Sequence, residues 1–175
     1  MRPDFCVPKV CLNLARRPDR RIQAWEQFRR EGLSVDRLEA PDAMNVRDCR
    51  RWRNKGARAC AAAHRLAWRA ARRVHADAVM VFEDDVVLCR GFGERLAGIE
   101  LPNDWAVLYF GCVFRTAPEV ISPELLRVTG PTWDMHAYLL RREVWEKVSQ
   151  ELGAVSWKSC ERIRGGAFSE EQLRG

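Results

Sequence analysis

Apolar and polar positions along this chain change period several times, and each change predicts an element. Val10, Cys11, Leu12 and Leu14 crowd the segment Val7–Leu14, which reads as a first strand with Asn13 near its end. Pro18 then suits the first turn of a helix, and Asp19 complements its positive end. Ile22, Trp25 and Phe28 are spaced for one buried helical face, and Gly32 is a plausible stop. Leu33–Leu38 forms a short second strand, so the chain opens as a β-α-β unit of the kind that begins a parallel sheet. Ala40-Pro41-Asp42-Ala43 breaks the pattern.

Val46–Arg58 is rich in Arg without a clear period and reads as a surface loop or short helix. The next helix runs from about Ala59 to Val74, with Cys60, His64, Ala67, Trp68 and Ala71 on one face. His75 falls near its end, where a cation is comfortable. Phe92, Leu96 and Ile99 predict a short helix after the turn residues Gly91 and Gly93. Ala106–Gly111 is an apolar strand. Thr116–Pro131 carries Pro118, Pro123 and Pro131 and reads as a long loop with little regular structure. Met135–Leu140 predicts another buried strand, and Arg141–Leu152 a helix with Val144, Trp145 and Val148 inward. From 154 to 175 the pattern fades into a poorly defined tail.

Between the helices lies Val79-Met80-Val81-Phe82-Glu83-Asp84-Asp85-Val86. A short unbroken apolar run suits a strand buried on both faces, inside a parallel or mixed sheet. The carboxylates then emerge at its carboxyl end, where open α/β sheets place ligands. Adjacent like charges repel, and a shared cation relieves that repulsion; oxygen ligands suit Mg²⁺ or Mn²⁺. The competing reading is a solvated acidic turn. Side chains alternate on an extended chain, so Glu83 and Asp85 should face one way and Asp84 the other, unless the strand has bent. His64, on an apolar face, reads on its own as a hydrogen-bonded core histidine.

A chain of 175 residues with 47% hydrophobic and 31% charged positions fits one domain, residues 1–175, with a real core. No apolar run reaches transmembrane length, and the opening residues lack the apolar core of a signal peptide, which predicts a cytoplasmic location. The seven cysteines are scattered with no CxxC pair, which argues against a zinc ribbon or disulfide framework and favours reduced thiols. The net charge of +6 comes almost wholly from Arg, which favours phosphate, carboxylate or an anionic surface. A nucleic-acid binder is disfavoured. The Arg residues are not interleaved with a reading motif, and three carboxylates repel phosphate unless a metal intervenes.

The order of motifs resembles glycosyltransferase family 25, which includes lipooligosaccharide and collagen galactosyltransferases. Leu12-Asn13-Leu14-Ala15-Arg16-Arg17-Pro18-Asp19-Arg20-Arg21 is similar to its opening. Ala40-Pro41-Asp42-Ala43 falls at its Ala-x-Asp-Gly turn, and Ala59-Cys60-Ala61-Ala62-Ala63-His64 resembles its Gly-Cys-x-x-Ser-His helix. Phe82-Glu83-Asp84-Asp85-Val86 resembles its Glu-Asp-Asp motif, Trp105–Gly111 a strand ending in Leu-Gly, and His136-Ala137-Tyr138 a later strand. The resemblance implies an α/β fold of GT-A type, a nucleotide-binding sandwich around a mixed, mainly parallel sheet. It implies a UDP-sugar donor and bound Mn²⁺ or Mg²⁺. The acceptor would be a glycan, a polypeptide or a small molecule, with peripheral membrane contact allowed. By position, Glu83 would face the nucleoside side. Asp85, with Glu83, would ligate the metal, and Asp84 would assist. Asn13, Arg16 and Arg20 would lie at the nucleotide end, and His64 becomes a site-shaping residue.

An inverting transfer also needs a base on the acceptor hydroxyl. Here the chain departs from the family. Ala154-Val155-Ser156-Trp157 stands where a Pro-Val-Asp segment is expected, so Ser156 replaces the carboxylate, and Ala63 replaces the serine before His64. Asp134 is the best substitute base, against its reading as a loop-end carboxylate. The departures leave room for a catalytically weakened relative that binds a nucleotide or a protein partner.

Overall fold

A computed structural model describes residues 7–45 and 54–151. The element order begins β1 (Lys9–Asn13), α1 (Pro18–Arg30), β2 (Asp36–Glu39), a 3₁₀ turn (Ala43–Asn45), α2 (Lys55–Arg73) and β3 (Ala78–Glu83). It continues with α3 (Phe92–Gly98), β4 (Val107–Phe114), β5 (Glu119–Ser122), β6 (Leu125–Arg127), β7 (Thr132–Arg141) and α4 (Arg142–Glu151).

Five strands form the central sheet in the order β2-β1-β3-β7-β4. β1 pairs in parallel with β2 and β3, whereas β7 runs antiparallel to both β3 and β4. Only β7 is reversed, so the sheet is mixed and mainly parallel. The order explains where the helices go. From β1 the chain steps outward to β2 and then back across to β3, and right-handed crossovers in opposite directions need helices on opposite faces. One face is packed by Ala24 and Phe28 of α1 and by Phe92 and Leu96 of α3, against Cys11, Met80, Phe82 and Leu139. On the other, Ala63, Ala67, Trp68 and Ala71 of α2 and Trp145 of α4 cover Val10, Leu12, Val79, Val81, Tyr138 and Leu140. The run Val79–Phe82 is buried on both faces, as its unbroken apolar pattern predicts.

The helices begin and end for local reasons. Pro18 opens α1, and Asp19 stands in its first turn. Its last turn closes through a 2.8 Å bond from the Leu33 N–H to the Phe28 carbonyl, with Gly32 at φ +66°, where glycine is unstrained. Asn54 caps α2, its side-chain oxygen accepting from the Gly56 and Ala57 amides at 2.8 and 3.2 Å. That cap starts the helix at Lys55 rather than Ala59, and the small Ala residues facing the sheet let the two pack closely.

Several expectations are corrected. Ile22 is 58% exposed, not buried: it lies about 200° round the helix from Ala24, and Ala24 and Phe28 define the buried face. Cys60 is exposed rather than buried with its helical neighbours. Residues 46–53 lie outside the described residues, but Arg58, expected on the surface, is only 3% exposed. Thr116–Pro131 is not devoid of structure. β5 and β6 form an antiparallel hairpin, and Pro118, Pro123 and Pro131 fall just before, within and after it. Prolines punctuate those strands without interrupting them. Of the inward α4 residues, Trp145 is buried and Val144 half-buried, whereas the side chain of Val148 lies outside the described residues.

Candidate active site at the carboxyl ends of β1 and β3

The strand order reverses at β1, so the loops leaving β1 and β3 diverge and open a crevice between their carboxyl ends. A cleft of about 240 Å³ lies there, bounded by Leu12, Leu14, Arg16 and Arg20 after β1, by Ala40, Pro41 and Ala43 after β2, and by Ala59, Cys60, Ala63 and His64 of α2. Glu83 and Asp84 form its floor.

Alternation along β3 sets where each carboxylate points. Glu83 shares the side of Val79 and Val81 and meets α2, where its Oε1 lies 3.2 Å from His64 Nε2. His64 Nδ1 lies 2.8 Å from Tyr138 Oη, and the buried Trp68 Nε1 donates to the same oxygen at 2.9 Å. Trp68 can only donate. With a neutral ring, Tyr138 donates to Nδ1 and the remaining N–H, on Nε2, points at Glu83. A second proton lands on Nδ1 and leaves Nε2–H in place. Burial lowers the His64 pKa, but the contacts with Cys60 and Glu83 outweigh it and lift the imidazole to about 9. Burial pushes the Tyr138 phenol up, keeping it neutral.

Asp84 turns to the other side. It is 8% exposed; one oxygen accepts from Asn13 Nδ2 at 2.7 Å, and the other from Arg20 Nη1 at 3.1 Å. Asn13 is itself fully engaged: Nδ2 also donates to the Arg17 carbonyl at 3.0 Å, and Oδ1 accepts from Arg37 Nε at 3.0 Å. Asn13 therefore braces Asp84 from behind the cleft. Asp85 lies in the turn after β3, more open, with Arg20 Nη1 at 3.0 Å and His136 Nδ1 at 3.1 Å. Arg20 thus bridges Asp84 and Asp85. Arg16 pairs with Asp42 at 2.6 Å, and the Met44 amide and Arg16 hold that carboxyl below its usual range.

The loop beyond the triplet is anchored to α1. Gln27 Nε2 donates to the Val86 carbonyl at 2.9 Å and its Oε1 accepts from the Leu88 amide at 2.8 Å, while Arg30 Nη2 donates to the Leu88 carbonyl at 2.8 Å. Both sides of the acidic turn are thereby fixed. Ligand atoms of Glu83, Asp85 and His136 all lie within 4.8 Å of one another. Two carboxylates and one imidazole make a donor set that suits Mn²⁺.

The expected residues Glu83, Asp84, Arg16, Arg20 and His64 meet in one cleft, with Asp85 at its edge and Asn13 behind. Asp134 belongs to β7, but its side chain lies outside the described residues, as does Ser156. In the sequence His136 and Tyr138 stand out only as part of a strand. They alternate with Ala137, and the β3–β7 register, which pairs Val81 with Tyr138 and Phe82 with Ala137, brings His136 beside Glu83 when continued one step. Polar residues at alternate positions in a buried strand were the available signal.

Residues 7–112 match a known family, described as glycosyltransferase family 25 (LPS biosynthesis protein). The chain belongs to that family. Comparison with curated proteins finds no match. The family 25 match runs from just before β1 into β4 and includes Asn13, Arg16, Arg20, His64 and the whole acidic triplet. It ends before β7, so the pairing of His136 with Asp85 and of Tyr138 with His64 comes from the sheet. The family's description ties the chain to glycosyl transfer in lipopolysaccharide biosynthesis. Among the described residues, no helix is long and apolar enough to cross a membrane.

Proposed function

We propose that the protein moves a hexose, galactose or glucose, from a UDP-sugar to an acceptor hydroxyl, as a single GT-A-type domain working in the cytoplasm. The observation that carries this reading is the convergence of Glu83, Asp85 and His136 beside a cleft lined by Arg16 and Arg20. The cleft's small apolar walls, Ala40, Pro41, Ala59 and Ala63, leave room for a planar base and ribose, with Glu83 on the nucleoside side. Arg16 and Arg20 face the anionic diphosphate.

Glu83, Asp85 and His136 are the residues that would hold Mn²⁺ or Mg²⁺, which when bound neutralises charge on the departing diphosphate. The protein's own residues prepare that place. Asn13 and Arg20 fix Asp84, Gln27 and Arg30 fix the turn, and His64 Nε2–H orients Glu83. For an inverting transfer, Asp134 is the proposed base on the acceptor hydroxyl. The family's description favours a glycan acceptor, reached by peripheral contact with a membrane surface.

A second reading has an observation of its own. Arg20 already supplies a cation to Asp84 and Asp85, so a weakened relative could bind nucleotide or a protein partner without turnover. One experiment separates the readings: the protein is incubated with a panel of nucleotide sugars and Mn²⁺, and slow release of free sugar is followed. Hydrolysis of one UDP-sugar supports the transferase, whereas UDP binding without hydrolysis of any donor supports the second reading. Failure to bind UDP overturns the nucleotide site of both.

A further inference from the structure

Cys60, His64 and Glu83 bring three different ligand chemistries to one place. The cysteine sulfur, an imidazole nitrogen and a carboxylate oxygen all lie within 4.8 Å of one another. Cys60 and His64 are four residues apart on α2, hence on one face of a capped, regular helix. Glu83 reaches them from the end of β3 and already lies 3.2 Å from His64 Nε2. Behind the imidazole stands Tyr138 Oη at 2.8 Å, held in turn by Trp68, an outer layer of the kind that orients a ligating histidine. Cys60 is exposed and lines the cleft, so a cation has a path to its sulfur.

We propose that Cys60, His64 and Glu83 form a second cation site, selective for a thiophilic divalent ion of the zinc class and distinct from the carboxylate-rich cluster at Asp85. Thiolate and imidazole together favour Zn²⁺ over Mn²⁺ or Mg²⁺. Three protein ligands leave a fourth tetrahedral position open to the cleft. Zinc bond lengths put such ligand atoms about 3.5 Å apart, so a small rotation of the exposed Cys60 side chain closes the set. Binding displaces the Cys60 thiol proton to solvent and leaves the sulfur as thiolate, and the His64 imidazolium gives up its Nε2 proton as well, so that the proton kept on the ring sits on Nδ1 and donates to Tyr138 Oη. Glu83 belongs to both groups, so filling this site draws its carboxylate toward α2. If the function proposed above holds, thiophilic ions therefore antagonise Mn²⁺.

The test needs neither donor nor acceptor, so it stands or falls apart from the transferase reading. Reduced, metal-free protein is titrated with Co²⁺ as a spectroscopic substitute for Zn²⁺. A sulfur-to-cobalt charge-transfer band in the near ultraviolet, with intense visible bands of tetrahedral coordination, is expected and should be bleached by Zn²⁺. Cys60→Ser should lose the charge-transfer band and bind Co²⁺ at least tenfold more weakly, whereas Cys89→Ser, at another exposed thiol, should keep both. Cys60→Ala, checked for native circular dichroism, must behave like the serine variant. Absence of the band in the parent protein, or its survival in Cys60→Ser, overturns the site.

Discussion

Glu83 Oε1 accepts from His64 Nε2 across 3.2 Å, joining the last residue of β3 to the middle of α2. The contact exists because alternation on β3 puts Glu83 on the side of Val79 and Val81, the side α2 covers. Removing the imidazole leaves Glu83 without its orienting donor and Tyr138 without one of its partners. His64→Ala should cost about 1 to 3 kcal/mol of stability. Donor turnover should fall by well over tenfold, more than the loss of folded protein explains. Urea unfolding beside turnover checks the split, and normal activity with lowered stability would return His64 to a packing role.

The same contact gives a pH signature in metal-free protein. The folded-state pKa of His64 is raised to about 9 from an ordinary 6.5. The folded state therefore holds this proton more tightly than the unfolded chain. The stability it contributes is fully present below about pH 6.5 and is lost as pH rises through about 9. The stability difference between parent and His64→Gln should shrink across that window, measured by denaturant unfolding at several pH values. A constant difference would mean that the imidazole stays neutral throughout.

Tyr138→Phe isolates the inner end of this chain. The ring still packs in the core, but Trp68 Nε1 and His64 Nδ1 lose their common partner. A buried donor left unpaired costs about 1 to 3 kcal/mol. A Tyr138→Phe protein with unchanged unfolding midpoint and turnover would show that the phenol does not position His64.

Much of this arrangement was legible in the sequence and some was not. The buried strand ending in three carboxylates could be read because local pattern determines both features: an unbroken apolar run, then residues that favour solvent or a cation. The β-α-β opening was readable for the same reason. His136 was not, because its role comes from the register between β3 and β7, strands far apart in the chain. Nor was the bracing of Asp84 by Asn13, a contact across 71 residues. Nor does local pattern reveal Gln27, whose amide gains its two partners only from the path of the Val86–Leu88 loop. The hairpin of β5 and β6 is masked in the sequence because Pro118, Pro123 and Pro131 flank and separate two strands of only four and three residues.

Nucleotide binding should require a divalent ion. UDP at a hundredfold excess over its Kd stabilises a native state that alone binds it by about 2.7 kcal/mol, which appears as a raised Tm. We expect that rise with Mn²⁺ or Mg²⁺ and little of it in excess chelator. Equal stabilisation in both conditions would mean that Arg16 and Arg20 hold the diphosphate unaided.

Asp84 and Asp85 are neighbours with opposite surroundings, and amide substitutions should separate them. Asp84 is nearly buried and receives Asn13 Nδ2 on one oxygen and Arg20 Nη1 on the other. In Asp84→Asn the new amide can offer its single oxygen to only one of those donors, and its NH₂ must face the other. That mismatch should cost about 1 to 3 kcal/mol and loosen the turn that carries Asp85. Asp85 is more open and pairs with Arg20 and His136, so Asp85→Asn should change stability by less than about 1 kcal/mol. Its charge, however, is the one placed to hold a cation with Glu83 and His136. Asp85→Asn should therefore abolish both transfer and the metal dependence of UDP binding while leaving the unfolding midpoint nearly unchanged. Asp84→Asn should lower the midpoint and weaken, without removing, the response to Mn²⁺. The measurements are urea midpoints and UDP affinities with and without Mn²⁺ for both variants. Metal-dependent turnover near the parent level in Asp85→Asn would show that Asp85 is no ligand and serves only as the partner of Arg20 and His136.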